Sequence, residues 1–162
     1  MARDAHDRED LLRDARGLSP RVELEVAVAG ENVELFAGFR GESLSLYFGQ
    51  DLVFHFNDRG QLRRAYVADQ LLKADRGRLI AMRRKRTEAE TSLVSRPLTD
   101  EEARTVLVDL ERRLRELADA VTAGNYRIVG EVPADGGPVG RLQAWLAGRR
   151  GPIELAASPH VG

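Results

Sequence analysis

Apolar and polar positions change period several times along the chain, and each change marks an element. Between Asp4 and Arg16, Leu11, Leu12 and Ala15 stand among charged neighbours and Gly17 follows, the pattern of a short amphipathic helix with a left-handed stop. The period then becomes two. Val22, Leu24, Val26 and Val28 alternate with Glu23, Glu25 and Ala27, as a strand with one buried face requires. Gly30-Glu31-Asn32 is expected to turn the chain, and three further strand-like runs follow, Val33 to Phe39, Ser43 to Phe48 and Leu52 to Phe56. Two similar hairpin signals come next, Asn57-Asp58-Arg59-Gly60-Gln61-Leu62 and Ala74-Asp75-Arg76-Gly77-Arg78-Leu79, each with Gly at the end of a predicted three-residue loop. With a two-residue turn at Asp69-Gln70 between them, Leu52 to Arg86 is predicted as four strands in a meander, and Thr91 to Arg96 as a strand running back along the arm from Arg78 to Arg86.

After Pro97 the period changes to that of a helix. Thr99 and Glu102 have capping-box spacing, Asp100 and Glu101 suit the helix dipole, and Ala103, Val106, Leu107, Leu110, Leu114, Leu117 and Val121 recur at helical intervals until Gly124. Such a helix is roughly 35 Å long, enough to lie across several strands. Tyr126 to Val132 is expected as one more strand, Pro138 opens a short helix through Trp145 and Leu146, and the tail from Gly148 is expected to be loosely ordered. The predicted fold class is therefore α+β: an antiparallel β-meander of about seven to nine strands, forming a curved sheet or a partly closed barrel, packed on one long amphipathic helix with short helices at either end. Residues 1–147 form one domain in this reading, and 148–162 the tail.

Composition narrows the chemistry more than it names it. The chain has 162 residues, 43% hydrophobic and 31% charged, which suits one globular core. No apolar run approaches membrane-spanning length, and the first fourteen residues are too charged for a secretory signal, so a cytoplasmic setting without a membrane partner is expected. There is no cysteine, which excludes disulfides, thiolate nucleophiles and Cys-ligated zinc or iron–sulfur groups. The net charge of −1 conceals an uneven distribution. Acids outnumber bases from Met1 to Phe36, whereas ten bases stand against Asp69 and Asp75 between Arg59 and Arg86. Of 25 basic residues only Lys73 and Lys85 are lysine, which fits a GC-rich genome as well as a need for planar guanidinium groups.

That charge directs attention to the middle of the chain. From a loop at Asp58-Arg59-Gly60, alternation predicts Phe54, Phe56, Leu62, Arg64 and Tyr66 on one face, and Val53, His55, Arg63, Ala65 and Val67 on the other. The turn at Asp69-Gln70 would pair Tyr66 with Lys73, gathering Arg64, Tyr66 and Lys73 on one face. Cations beside aromatic rings suit a phosphate, a carboxylate or a stacked base; the plainer reading lays their stems along the sheet with the charges in water. His55 is the one histidine inside a strand, and no carboxylate is placed to orient it as a general base, so a packed histidine beside Arg63 is the plainer reading. Arg83-Arg84-Lys85-Arg86 would give salt-dependent phosphate contacts, or else guard an exposed sheet edge. Gly136-Gly137-Pro138 lacks both the Walker lysine and the dinucleotide glycine spacing, and no set of His, Asp and Glu has metal-ligand spacing. No nucleophile elbow or kinase signature is present.

The stretches Asp7 to Ala15, Tyr47 to Asn57 and Lys73 to Leu79 resemble segments of a family of planctomycete proteins, and the resemblance spans much of residues 7 to 123. It implies a bacterial, cytoplasmic setting and carries no activity, cofactor or site residue with it. The expectation is a non-catalytic binding or adaptor protein without a cofactor, offering His55, Arg63, Arg64, Tyr66 and Lys73, and the run Arg83, Arg84, Lys85 and Arg86, to RNA or a phosphorylated ligand. Two alternatives stand beside it. One is a ligand carrier or enzyme whose pocket, lined by His55, Tyr66 and Lys73, is closed by the long helix; the other is a subunit of a protein assembly or homo-oligomer, motivated by the apolar face of the first helix and by Trp145.

Overall fold

The computed structural model describes residues 21–67, 70–86, 91–129, 137–149 and 151–157, with backbone alone at 83–86, 91–93 and 137. The expected helix at 4–16 and positions 130–132 of the expected last strand lie outside these. The described chain forms β1 (Arg21–Val28), β2 (Glu31–Arg40), β3 (Ser43–Phe48), β4 (Leu52–Phe56), β5 (Leu62–Val67), β6 (Gln70–Asp75), β7 (Arg78–Arg86), β8 (Thr91–Pro97), helix α1 (Asp100–Thr122), β9 (Tyr126–Ile128) and helix α2 (Gly137–Ala147). All nine strands join one antiparallel sheet in the order β8-β7-β6-β5-β4-β3-β2-β1-β9. Short hairpin loops make the first eight a meander, and β9 returns after α1 to lie beside β1. The sheet is open, with β8 and β9 at its edges, so the partly closed barrel is not formed.

Loop chemistry sets the registers. Gly60 has φ 73°, its N–H donates to the Asn57 carbonyl at 3.0 Å, and Asn57 N–H donates to Gln61 O at 2.8 Å, the three-residue loop that the sequence predicts. Asn57 is fully buried, and its side-chain oxygen is satisfied by the Arg59 and Gln61 N–H groups, each at 2.9 Å. The Arg149 guanidinium lies directly against Gly60, where a Cβ would make that side chain move. Two further turns differ from expectation. Asp75 pairs with Arg78, leaving Arg76 (φ 54°) and Gly77 (φ 78°) as a two-residue loop. Val28 pairs with Glu31 around Ala29 (φ 53°) and Gly30 (φ 81°), one to two residues earlier than Gly30-Glu31-Asn32. In both, two positive φ values give the turn whose twist matches that of the strands, and a non-glycine residue takes the first of them.

One face of the sheet, here the inner face, carries Val22, Leu24, Val26, Leu35, Ala37, Phe39, Leu44, Leu46, Phe48, Leu52, Phe54, Phe56, Leu62, Ala65, Leu72, Leu79 and Ala81, which merge with the helices into one core. α1 supplies Leu110, Leu114, Leu117, Ala118 and Val121, and α2 supplies Val139, Leu142 and Leu146. Helix α1 starts at the predicted capping box: Thr99 Oγ1 accepts from Glu102 N at 3.1 Å and Glu102 Oε1 accepts from Thr99 N at 3.0 Å. Gly124, at φ 81°, stops it. Two ties fix α1 and α2 to the sheet from outside the core. Arg113 makes a two-point ion pair with Asp51, at 3.0 and 3.1 Å, and Arg141 lies 4.0 Å above the Phe39 ring.

The described part of the tail is not loose. Leu62 N–H donates to Glu154 O at 2.8 Å, Ala156 N–H to Leu62 O at 2.9 Å, and Ile153 N–H to Glu111 Oε2 at 2.8 Å, while Ala156 is 1% exposed. Asn57 and Gln61 close the β4–β5 hairpin, so Leu62 turns its main-chain groups away from β4, and there, where the described β5–β6 pairing stops at Arg64↔Lys73, the strap satisfies them. Nothing in the tail's composition announces this partner in a distant strand. Among the described residues, no helix is long and apolar enough to cross a membrane.

Candidate functional site

A β-bulge beside Phe56 decides which residues share the outer face. A three-residue loop at 58–60 predicts His55 opposite Arg63, and Phe56 does pair with Leu62; beyond that the register slips by one, so that His55 faces Arg64, Phe54 faces Ala65 and Val53 faces Tyr66. One inserted residue, Arg63, reverses every later side chain of β5. Phe54, Phe56, Leu62, Ala65 and Val67 are thus inner, while Val53, His55, Arg64 and Tyr66 are outer, which replaces the predicted grouping. β5 and β6 pair in a register shifted by two from the expected one, with Val67 opposite Gln70. Tyr66 therefore faces Leu71, and Lys73 faces Arg64. This shift of two in pairing preserves parity, so Arg64, Tyr66 and Lys73 do share a face, and His55 joins them.

That face is opposite to α1. A pocket closed by the long helix over His55, Tyr66 and Lys73 is accordingly not the arrangement adopted. The centre of the outer face is a small apolar cluster of Phe36, Tyr47, Val53 and Tyr66, each at most 8% exposed, with Leu71 beside it. Phe36 meets Tyr47 edge-on, at 6.1 Å between ring centroids. His55 is 8% exposed and its Nε2 lies 3.3 Å from Tyr47 Oη. Burial, then the neighbouring Arg64 and Arg63 charges, lower its pKa to about 3. His55 is consequently neutral near pH 7 and is a packed group, not a base poised for proton transfer. Tyr66, 3% exposed, offers no ring surface for stacking. Arg63 and Arg64 are half-buried, and Lys73 is exposed.

Charge is segregated along the sheet. At the β1–β2 end the outer face carries Glu23, Glu25 and Glu34, with Glu25 directly opposite Glu34 and bonded by Arg127 of β9 at 3.3 Å. With Phe36 and Tyr47 they border a groove of about 400 Å³. Single-strand alternation shows Glu23 and Glu25; their approach to Glu34 needs the register, so sequence reasoning did not find this groove. Among the described residues no group of three His, Asp or Glu is placed to hold a metal ion.

The basic end is built differently. β6 pairs with β7 from Asp75↔Arg78 to Leu71↔Met82, where the described pairing stops, while β7 and β8 continue together through Arg83↔Val94, Arg84↔Leu93, Lys85↔Ser92 and Arg86↔Thr91. Among the described residues, β8 is therefore the sole strand partner of Arg83, Arg84, Lys85 and Arg86, which form half of a two-stranded arm. Arg84 and Arg86 occupy outer-face positions, in step with Ile80 and Met82, and Arg83 and Lys85 occupy inner-face positions, in step with Ala81. β8 is the outermost strand of the sheet, and past Met82 β7 has, among the described residues, no partner on its β6 side, so the bases stand on the second edge of the arm, where the edge-guarding reading also applies. No protein-family model, no curated protein and no solved structure matches this chain.

Proposed function

We propose that the chain is a non-catalytic nucleic-acid-binding protein that takes an RNA phosphate backbone on the β7–β8 arm. The observation that carries this is the continuation of the ribbon past β6 with four consecutive bases on it. Alternation in a two-stranded ribbon sends those bases to both faces, so a strand of phosphates is met on either side without base-edge readout. Lys73, exposed on the outer face, extends the basic surface toward the sheet. The outer aromatic residues are packed away, which leaves affinity to the phosphates and not to stacking.

Binding of fluorescently labelled single-stranded RNA tests the reading. Wild type should bind with strong salt dependence, and a variant with Arg83, Arg84, Lys85 and Arg86 all changed to Gln should lose about tenfold or more in affinity at moderate salt. Equal binding by the two proteins would remove the arm from the account.

A further inference from the structure

The outer island is more deeply buried than an open sheet face permits. Side chains on a sheet stand roughly perpendicular to it, so the tips of an uncovered row remain in water. Yet Tyr47, Val53 and Tyr66 are 2%, 1% and 3% exposed, Phe36 and His55 are 8% exposed, and every residue of β4 is buried, on both faces alike. The helices α1 and α2 lie on the other side, where they join the inner core. Among the described residues no element packs over the outer island, so its cover comes from elsewhere.

Register gives the island its shape. Phe36, Tyr47, Val53, Tyr66 and Leu71 are successive Cα partners, one row across β2 to β6. Four strand spacings make that row roughly 19 Å long. Glu23 continues it onto β1, and Arg21, where the described chain begins, precedes Glu23 on the same face. Glu23, Glu25 and Glu34 stand at this near end of the row, and Arg64 and Lys73, paired with each other, flank its far end.

Of the stretches outside the described residues, 1–20 is the longest, and its expected helix fits the row in length, sense and charge. From Asp4 to Arg16 such a helix spans about 20 Å at 1.5 Å per residue. Ala5, Leu11, Leu12 and Ala15 fall within one stripe of it. Residues 17–20 reach at most about 14 Å, so Arg16 is tethered to the near end of the row. Laid along the row in that sense, Arg13 and Arg16 come beside the carboxylates of β1 and β2, and Asp4 and Asp7 beside Arg64 and Lys73. The reverse sense would oppose like charges at both ends.

We propose that the outer row is the docking surface for residues 4–16 of the same chain, whose apolar stripe covers Phe36, Tyr47, Val53 and Tyr66. The short tether makes this contact intramolecular, so it needs far less area than an interface between separate molecules. The inference rests on burial, register and charge, and is independent of the nucleic-acid reading.

The chain has no cysteine, so a nitroxide attached at His6→Cys, on the polar side of the expected helix, reports its position in the full protein. In amide NMR spectra the label should weaken Tyr66 and Leu71 most and α1 least. A full chain carrying Leu11→Asp and Leu12→Asp should lose that pattern, bind an apolar dye more strongly than wild type, and titrate His55 above its folded value of about 3. Equal weakening of all elements, or a pattern that survives the two aspartates with dye binding and titration unchanged, overturns the docking. Weakening of isotope-enriched wild type by labelled, unenriched chains mixed with it assigns the cover to a second copy and overturns it too. If the aspartate variant does not fold, the pattern from the single label decides.

Discussion

On the inner face of the sheet, apolar residues from seven strands and two helices run together into one core; on the outer face, four buried rings and aliphatic groups form an island, with carboxylates at one end of the sheet and cations at the other. Both faces belong to the same strands, and alternate residues supply them. The inner face has one demand, to exclude water against α1 and α2, and nearly every position meets it with the same kind of side chain. The outer face mixes packing with charge, and there the identity of each residue depends on its register partner. Chemistry available to a partner lies on the outer face and on the arm beyond it.

The contrast is broken most severely by opening the inner face. Phe54 is fully buried between strands and helices, and Phe54→Ala should cost about 3–5 kcal/mol in urea unfolding at neutral pH. A loss under about 1 kcal/mol would mean that the inner core is not packed as described.

The outer island should show itself through acid. Folded His55 takes its proton near pH 3, whereas the unfolded residue takes it near 6.5, so the folded state is favoured in full above 6.5 and loses that advantage as pH falls toward 3. At about pH 4.5 the loss amounts to roughly 2–3 kcal/mol relative to neutral pH. His55→Gln should flatten this limb of the stability–pH curve; an unchanged limb would place the acid sensitivity elsewhere.

Smaller effects sharpen the comparison. Thr99→Ala removes the oxygen that accepts from Glu102 N, and should cost about 1 kcal/mol by loosening the start of the helix that covers the inner face. Lys73→Gln, at an exposed outer position, should change stability by less than about 0.5 kcal/mol. A larger change at Lys73 would make the outer cations part of the packing.

The inner face was legible because its period was uninterrupted. Val22, Leu24 and Val26 announce β1, and the spacing of Leu110, Leu114, Leu117 and Val121 after a capping box announces α1, since local propensity and burial point the same way. Registers were less legible. Arg63 has no feature that marks it as a bulge, and that single residue exchanged the predicted companions of Arg64 and Tyr66. The strap at 153–156 binds Leu62 main-chain groups that face away from β4, a long-range pairing that no local pattern carries. The basic run was visible as composition; its position on the second strand, past the end of β6, became visible only with the sheet order.

The central claim is that cations on the arm, and not the half-buried Arg64 of the sheet face, neutralise phosphates. The slope of log affinity for RNA against log salt measures how many they are, at about 0.7 per phosphate contact for a single strand. Each of Arg83→Gln, Arg84→Gln, Lys85→Gln and Arg86→Gln should lower the slope by nearly that amount, and Arg64→Gln should leave it unchanged. A slope that falls with Arg64→Gln and stays fixed in the four arm variants would contradict the account.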